Sequence, residues 1–188
     1  GVHTGGYYDA YNSTKAYFMH TVLRWNIPKD YVKLYDTGEV FLQKRKNVEV
    51  LLTNNFDADT SIQNLNFVLS ASPSDGVNKE RQFSSTTSTP LPANKYKWIR
   101  VNADLYTKSK EWNVWAMPQF IVNIKKDNVV IKSSMFRINR ILNENELKNL
   151  FLDVSLPDEY ANMVEFSVWN ANSDRELLID NVVIEGYE

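Results

Sequence analysis

The sequence contains no cysteine, only two histidines and no long apolar run. Without cysteine, structural disulfides, thiolate metal sites and a cysteine nucleophile are excluded. His3 and His20 stand in no spacing that is typical of a metal site or a catalytic triad. No apolar stretch approaches the roughly 20 residues of a membrane-spanning helix, and no glycine-rich phosphate loop is present. These absences favour binding over catalysis.

The sequence also lacks an excess of charge of either sign. Its 21 basic and 23 acidic residues are interspersed and leave a net charge of −2. We therefore expect no nucleic-acid partner, and anionic membrane surfaces are not expected partners either. A chain of 188 residues with 43% hydrophobic residues suits one domain, with or without an appended segment. Because it begins with Gly1 and shows no signal-peptide pattern, we expect a processed product or one domain cut from a larger protein.

Aromatic residues and asparagine are abundant instead, and they favour strands and turns respectively. The clearest strand is YKWIRVNADLY, residues 96–106, in which Ile99, Val101, Ala103 and Leu105 alternate with polar and aromatic residues. Similar alternation covers residues 119–125 and 164–169. Many short strands separated by turn signals predict an all-β fold, an antiparallel β-sandwich with at most one or two short helices.

Four local predictions can be compared directly with the structure. The turn signal Asp36-Thr37-Gly38 predicts a hairpin of Tyr31–Tyr35 and Glu39–Gln43. The serine- and threonine-rich segment Phe83–Asn94 is expected to be a long loop or an edge segment. Phe136–Leu142 is expected to be a strand. Asn143–Leu150 is predicted to be helical, since Asn143 and Glu146 form a capping-box pattern.

Three fragments resemble jelly-roll carbohydrate-binding modules: Asn55-Phe56-Asp57, the strand beginning Tyr96-Lys97-Trp98, and the closing strand Leu178–Glu185. The resemblance covers about Val48 to Glu188, although Asn181 stands where a second acid is frequent in the family. It implies a galactose-binding-like jelly roll at 48–188 that binds a glycan without catalysis. Residues 1–47 have no counterpart and are expected to form extra strands or the tail of a preceding domain.

Sugar recognition requires flat aromatic faces and planar polar groups. Outward positions of predicted strands and one polar loop supply both kinds of side chain. The candidate ligand-binding residues are Trp98, Arg100, Asn102, Asp104, Tyr106, Asn123, Arg137 and Trp169 on strands, with Gln119, Asn139 and Glu165 beside them, and Trp112 and Trp115 in the loop. The alternative is an ordinary solvated sheet face, with the loop tryptophans folded back as a lid over the core.

The resemblance further implies a structural Ca²⁺ between the start of the domain and its last strand. Asp57 and Asp180 match the family positions, and Asp59 lies nearby. Calcium needs six to eight oxygen ligands, so backbone carbonyls and water would have to complete the site. The alternative is that Asp180 accepts backbone hydrogen bonds in a turn.

The expected function is that of a non-catalytic, glycan-binding accessory domain of a larger bacterial glycan-active protein, exported or attached to a membrane. Its partners would be an oligo- or polysaccharide and other domains of the parent protein, outside the cell, in the periplasm or at the cell surface. The main alternative is a structural or protein-interaction domain of a membrane glycosyltransferase or surface assembly. A weaker alternative is a small lyase or hydrolase, for which Asp104 and Glu165 are the carboxylates to consider.

Overall fold

The computed structural model describes residues 27–36, 39–58, 67–111, 113–158 and 160–188. The chain divides into two compact units, residues 1–46 and residues 47–188. In the first unit, β1 (Tyr31–Asp36) and β2 (Glu39–Lys44) pair antiparallel, with Tyr31 opposite Lys44. The predicted hairpin in this segment is confirmed.

The second unit contains eleven further strands among the described residues. In chain order they are β3 (Glu49–Asn54), β4 (Val68–Leu69), β5 (Ser72–Pro73), β6 (Asp75–Val77), β7 (Thr87–Pro90), β8 (Trp98–Thr107), β9 (Gln119–Lys126), β10 (Val129–Arg137), β11 (Glu146–Ser155), β12 (Met163–Trp169) and β13 (Leu177–Tyr187). A short 3₁₀ helix, Ile138–Arg140, follows β10. No helix of the described residues is long and apolar enough to cross a membrane.

Two antiparallel sheets form the body of this unit. The four-stranded sheet has the order β10-β9-β12-β7, and the five-stranded sheet has the order β11-β8-β13-β3 with β6 also paired to β13. Strands β4 and β5 form a separate short ribbon. The predicted all-β sandwich is confirmed, and the segment expected to be a loop or edge contains β7 at the edge of the four-stranded sheet.

The core is built from the alternate residues of the central strands. On β8, β9 and β12 every second side chain is apolar and fully or almost fully buried, namely Ile99, Val101, Ala103, Leu105, Phe120, Val122, Ile124, Val164, Phe166 and Val168. Phe120 lies between Phe136 and Phe166, with ring centroids 4.9 and 4.6 Å away. Period-two alternation therefore placed these residues correctly.

Two local predictions were wrong. Residues 146–155 form strand β11 rather than a helix. The contacts of a capping box are present, because the backbone and side-chain nitrogens of Asn143 donate to Glu146 Oε2 at 3.1 and 2.9 Å. However, Asn145 adopts a left-handed φ of 57°, and pairing with β8 carries the chain onward as a strand. The strand expected over 136–142 ends at Arg137, where the 3₁₀ helix begins.

Candidate functional site

The predicted ligand-binding residues are divided between two sheet faces. Trp98, Arg100, Asn102, Asp104 and Tyr106 lie on β8 of the five-stranded sheet. The strand residues Asn123, Arg137 and Trp169, with Gln119 and Glu165, lie on the four-stranded sheet. Since the outer faces of a sandwich point in opposite directions, the two groups cannot form one site.

Arg100 was expected to face solvent, and this expectation was wrong. The side chain is almost completely buried: its Nε and Nη2 donate to the two carboxylate oxygens of Asp153 at 2.7 and 2.8 Å. Tyr187 donates its hydroxyl to Asp153 Oδ1 at 2.8 Å. The guanidinium also lies 4.0 Å from the ring centroid of Phe151. Arg100 is thus one partner of a buried ion pair and is not available to a ligand.

The aromatic residues of β8 are likewise used in packing. Trp98 is half-buried and stacks on Tyr187 with ring centroids 6.4 Å apart. Tyr106 packs against a small cluster of Phe67, Leu69 and Leu178 on the same side of the sheet. Trp98 and Tyr106 therefore each have at least part of their ring surface in contact with other side chains. Asn102 is half-buried and pairs in register with Phe151 and Val183. Asn139, also expected to point outward, is buried in the 3₁₀ helix.

Acidic residues gather where β13 bulges after Asp180. Asp180 lies opposite Asp104 in the sheet register, and Asn181 adopts a φ of 48° within the bulge. Burial raises the pKa of the Asp180 carboxyl, the backbone N–H of Asn181 lowers this pKa by donating to Oδ1 at 2.7 Å, and the charges of Asp57 and Asp104 raise it. Three carboxylates therefore lie near one another at this bulge.

The fit of this region to a calcium ion is incomplete in the described residues. Asp104 already accepts hydrogen bonds from the side-chain amides of Asn149 and Asn181 at 2.8 and 3.0 Å, and Asp59 lies outside the described residues. No group of three or more histidine or acidic side chains within the described ranges is arranged to hold a metal ion. Asp180 also shows the alternative given in the sequence analysis, because its carboxylate accepts a hydrogen bond from the backbone N–H of Asn181.

A different arrangement crosses the outer face of the four-stranded sheet. Gln119 on β9 pairs in register with Arg137 on β10 and with Trp169 on β12. Phe83 forms a β-bridge with Trp169, and the two rings stack at 6.2 Å with an interplanar angle of 13°. At the other end, the Arg137 guanidinium carbon lies 5.8 Å from the ring centroid of Trp115. Phe83, Trp169, Gln119, Arg137 and Trp115 are called the aromatic row below.

The aromatic row is open to solvent. Trp115 is 80% exposed and Phe83 is 59% exposed, while Trp169, Gln119 and Arg137 are half-buried. Adjacent strands lie about 4.8 Å apart, so the row spans about 14 Å from Phe83 to Arg137. Large exposed aromatic surfaces are unfavourable in water and commonly mark a binding surface. The row therefore combines the aromatic and polar side chains that sugar recognition requires. It lies on the sheet opposite to the one that contains Trp98 and Arg100.

Hydrogen bonds fix the loop that carries Trp115. The buried carboxylate of Glu111 accepts from the Ser173 hydroxyl at 2.7 Å and from the Asn113 backbone N–H at 2.8 Å. Asn113 Oδ1 in turn accepts from the backbone N–H of Trp115 at 3.0 Å. The chain of contacts from Ser173 through Glu111 and Asn113 to the backbone N–H of Trp115 restrains the loop.

Gln82 anchors the opposite end of the row in a similar way. Its backbone carbonyl accepts from the Asn170 N–H at 2.8 Å, and its side chain bonds Asn172 N and Ser173 O at 2.8 and 3.3 Å. Phe83 directly follows Gln82, and Trp169 directly precedes Asn170. Ser173 thus connects the anchors of both ends, which reduces the ordering cost of binding.

The sequence had indicated only part of this surface. It named Trp115, Arg137 and Trp169, and it named Gln119 as an outward neighbour, whereas Phe83 was overlooked inside a serine- and threonine-rich segment. A lone aromatic residue among small polar ones was the available signal. Trp112 lies outside the described residues. Asn123 and Glu165 face the same side, and Lys125 pairs with Glu165 at 2.6 Å.

No family model matches the chain, and no curated protein matches it. Solved structures do match. The first is described as "Family 16 Carbohydrate Binding Module-2", with 15% identity over 53% of this chain and 70% of that chain and a TM-score of 0.36. A CBM22-1 xylan-binding domain from Paenibacillus barcinonensis has 10% identity and a TM-score of 0.33, and the match covers 76% of this chain and 96% of that chain. The VP2 subviral particle of infectious bursal disease virus has 7% identity and a TM-score of 0.46, and the match covers 83% of this chain and 37% of that chain.

The chain resembles jelly-roll carbohydrate-binding modules. This likeness concerns the fold alone, and matches at such identities also include the VP2 subviral particle of infectious bursal disease virus. Function therefore has to be argued from the aromatic row.

Proposed function

We propose that the chain is a non-catalytic glycan-binding module and that sugar rings bind on the aromatic row. The observation that supports it is the alignment of three aromatic side chains with one amide and one guanidinium across a single sheet face. Aromatic rings can pack against the C–H face of a pyranose. Gln119 can both donate to and accept from hydroxyl groups, whereas Arg137 can only donate.

Replacing Trp115 or Trp169 with alanine is expected to weaken glycan binding about 30-fold. The expectation follows from the cost of about 2 kcal/mol or more for truncating a central tryptophan of an interface, at 1.4 kcal/mol per factor of ten. A glycan array would identify the ligand, and titration calorimetry would measure its affinity for each variant. Trp115→Ala is expected to leave the urea unfolding midpoint nearly unchanged, because that side chain is 80% exposed.

Tyr160→Ala is a suitable control for these variants. Tyr160 is also an exposed aromatic residue, at 46%, but it lies outside the aromatic row. Its neighbour Asn162 donates its backbone N–H to Lys125 O, at the far end of β9 from Gln119. Equal losses in the Tyr160 and tryptophan variants would contradict the aromatic row as the binding site. No binding across a broad array would contradict glycan binding itself and favour a protein-docking role.

The proposal extends to where such a surface would operate. Many polysaccharides lie outside the cell, in the periplasm or on the cell surface. We therefore place the chain as an accessory domain of a larger exported or membrane-attached bacterial glycan-active protein. Detection of the tagged parent protein only in the cytoplasmic fraction would contradict this location.

Calcium is proposed as a structural ligand of Asp57 and Asp180, with Asp59 as a further carboxylate. The buried Asp180 carboxyl with negative neighbours is an environment that a bound cation would relieve. Millimolar CaCl₂ is then expected to raise the melting temperature of the wild-type protein, since a ligand of the native state at 100 times its Kd adds about 2.7 kcal/mol. Asp180→Asn should lose that response and keep the oxygen that accepts the Asn181 N–H. An identical response in both proteins, or none in the wild type, would exclude calcium at Asp180.

A further inference from the structure

Arg137 has no acidic partner among the described residues, unlike Arg81, Arg100 and Arg175 of the same unit. Arg100 pairs with Asp153, and Arg81 pairs with the buried Asp75. Arg137 is half-buried at the end of the edge strand β10, and no carboxylate of the described residues forms an ion pair with it. Its guanidinium carbon lies 5.8 Å from the ring centroid of Trp115.

On the described strands of this sheet face, no unpaired acidic side chain lies beside Arg137. Its register partner Gln119 is neutral, and the next outward pair along the two strands is Met135 and Ile121. The one acid on the outer face of β12 is Glu165, whose carboxylate is already neutralised by Lys125 at 2.6 Å. This end of the aromatic row is therefore locally positive, in a chain whose net charge is −2.

We propose, on the basis of the proposed function, that the aromatic row binds acidic glycans, and that Arg137 pairs with a carboxylate or sulfate on the sugar that stacks on Trp115. A guanidinium presents a planar fork of donors that fits either oxyanion with two parallel hydrogen bonds. The Arg137 guanidinium carbon lies 5.8 Å from the centroid of the exposed Trp115 ring, within the range of a cation–π interaction, so one sugar could contact both side chains.

The two ends of the row would then have different roles. The stacked pair of Phe83 and Trp169 is apolar and has no charged register partner, so it suits a neutral part of the glycan. The Trp115 and Arg137 end combines a ring face with a cation 5.8 Å from the ring centroid, so it suits a sugar that carries an anionic substituent. The order of groups along the row therefore predicts a direction for the bound chain.

The test uses a panel of acidic glycans, each paired with its neutral counterpart. Oligogalacturonate and its carboxyl-reduced form probe carboxylates, and a sulfated galactan and its desulfated form probe sulfates. The wild-type protein should bind at least one acidic member about 10- to 100-fold more tightly than its neutral counterpart, as expected for charge-assisted hydrogen bonds.

Arg137→Gln should remove that preference, with at most about a threefold loss of affinity for the neutral form. Arg137→Lys should restore only part of the preference, because lysine keeps the charge and loses the planar fork.

The outcomes separate this inference from the proposed function. Equal affinity of the wild-type protein for the acidic and neutral members, with binding still lost in Trp115→Ala, would overturn the inference and leave glycan binding intact. A preference for acidic members that survives in Arg137→Gln would also overturn it. Absence of binding to every member of the panel would reject both. Loss of the wild-type preference at high salt, with no comparable salt effect in Arg137→Gln, would support the assigned ion pair.

Discussion

Replacing Asp153 with alanine is expected to lower the free energy of unfolding by about 3–5 kcal/mol, which is the usual cost of removing one partner of a buried ion pair. The variant would leave the Arg100 guanidinium charged and buried, with side-chain exposure of only 3%, and without the two oxygens that it now contacts. The Tyr187 hydroxyl would lose its acceptor as well. Urea-induced unfolding of the two proteins would measure the difference.

An exposed ion pair between β3 and the turn before β8 provides the control. Lys95 and Glu49 lie 2.6 Å apart, but their side chains are 47% and 48% exposed. Pairs of this kind contribute at most about 1 kcal/mol because water and salt screen them. Lys95→Ala should therefore shift the unfolding midpoint far less than Asp153→Ala. Similar shifts in the two variants would show that the Arg100 pair is not buried in solution.

This distinction matters for how binding data are interpreted. Arg100 lies on an outward position of β8, and loss of glycan binding in an Arg100 variant could be taken as evidence for a site there. The contacts with Asp153 and Phe151 indicate instead that such a loss would arise from unfolding. Arg137 variants are expected to change binding without a comparable loss of stability, since no ion pair of the described residues depends on Arg137.

The alternation of the sequence predicted which way the side chains point, but not what covers them. Trp98 and Arg100 were assigned correctly to the face opposite Ile99 and Val101. Their partners, however, come from β11 and β13, and Asp153 is 53 residues away from Arg100. A pattern within one strand carries no information about such long-range partners, so occupied and open faces could not be told apart.

The same limit explains why the aromatic row was predicted only in part. Trp169, Gln119 and Arg137 meet because three strands pair in one register, and Phe83 joins them through a bridge from a segment with little strand character. Strand order is a tertiary property that one sequence does not reveal. The error at Asn143 has a related cause, because the local capping contacts form but pairing with β8 overrides the helical tendency.

Two neighbouring residues of β9 allow a direct test of the two faces of the four-stranded sheet. Phe120→Ala is expected to lower the free energy of unfolding by about 3–5 kcal/mol, because it leaves a cavity in the core. The Phe120 side chain is fully buried and contacts the rings of Phe136 and Phe166 at centroid distances of 4.9 and 4.6 Å. Chemical unfolding followed by far-UV circular dichroism would measure the loss.

Ile121→Ala is the matched variant on the opposite face of the same strand. Ile121 is half-buried and pairs with Met135 and Ser167 beside the aromatic row, so its truncation should cost about 1 kcal/mol or less. A large loss at Ile121 together with a small loss at Phe120 would mean that β9 packs with the opposite face inward. Gln119 would then point into the core, and the aromatic row could not exist as a surface. The stability of these two variants is therefore also a test of the proposed binding face that requires no ligand.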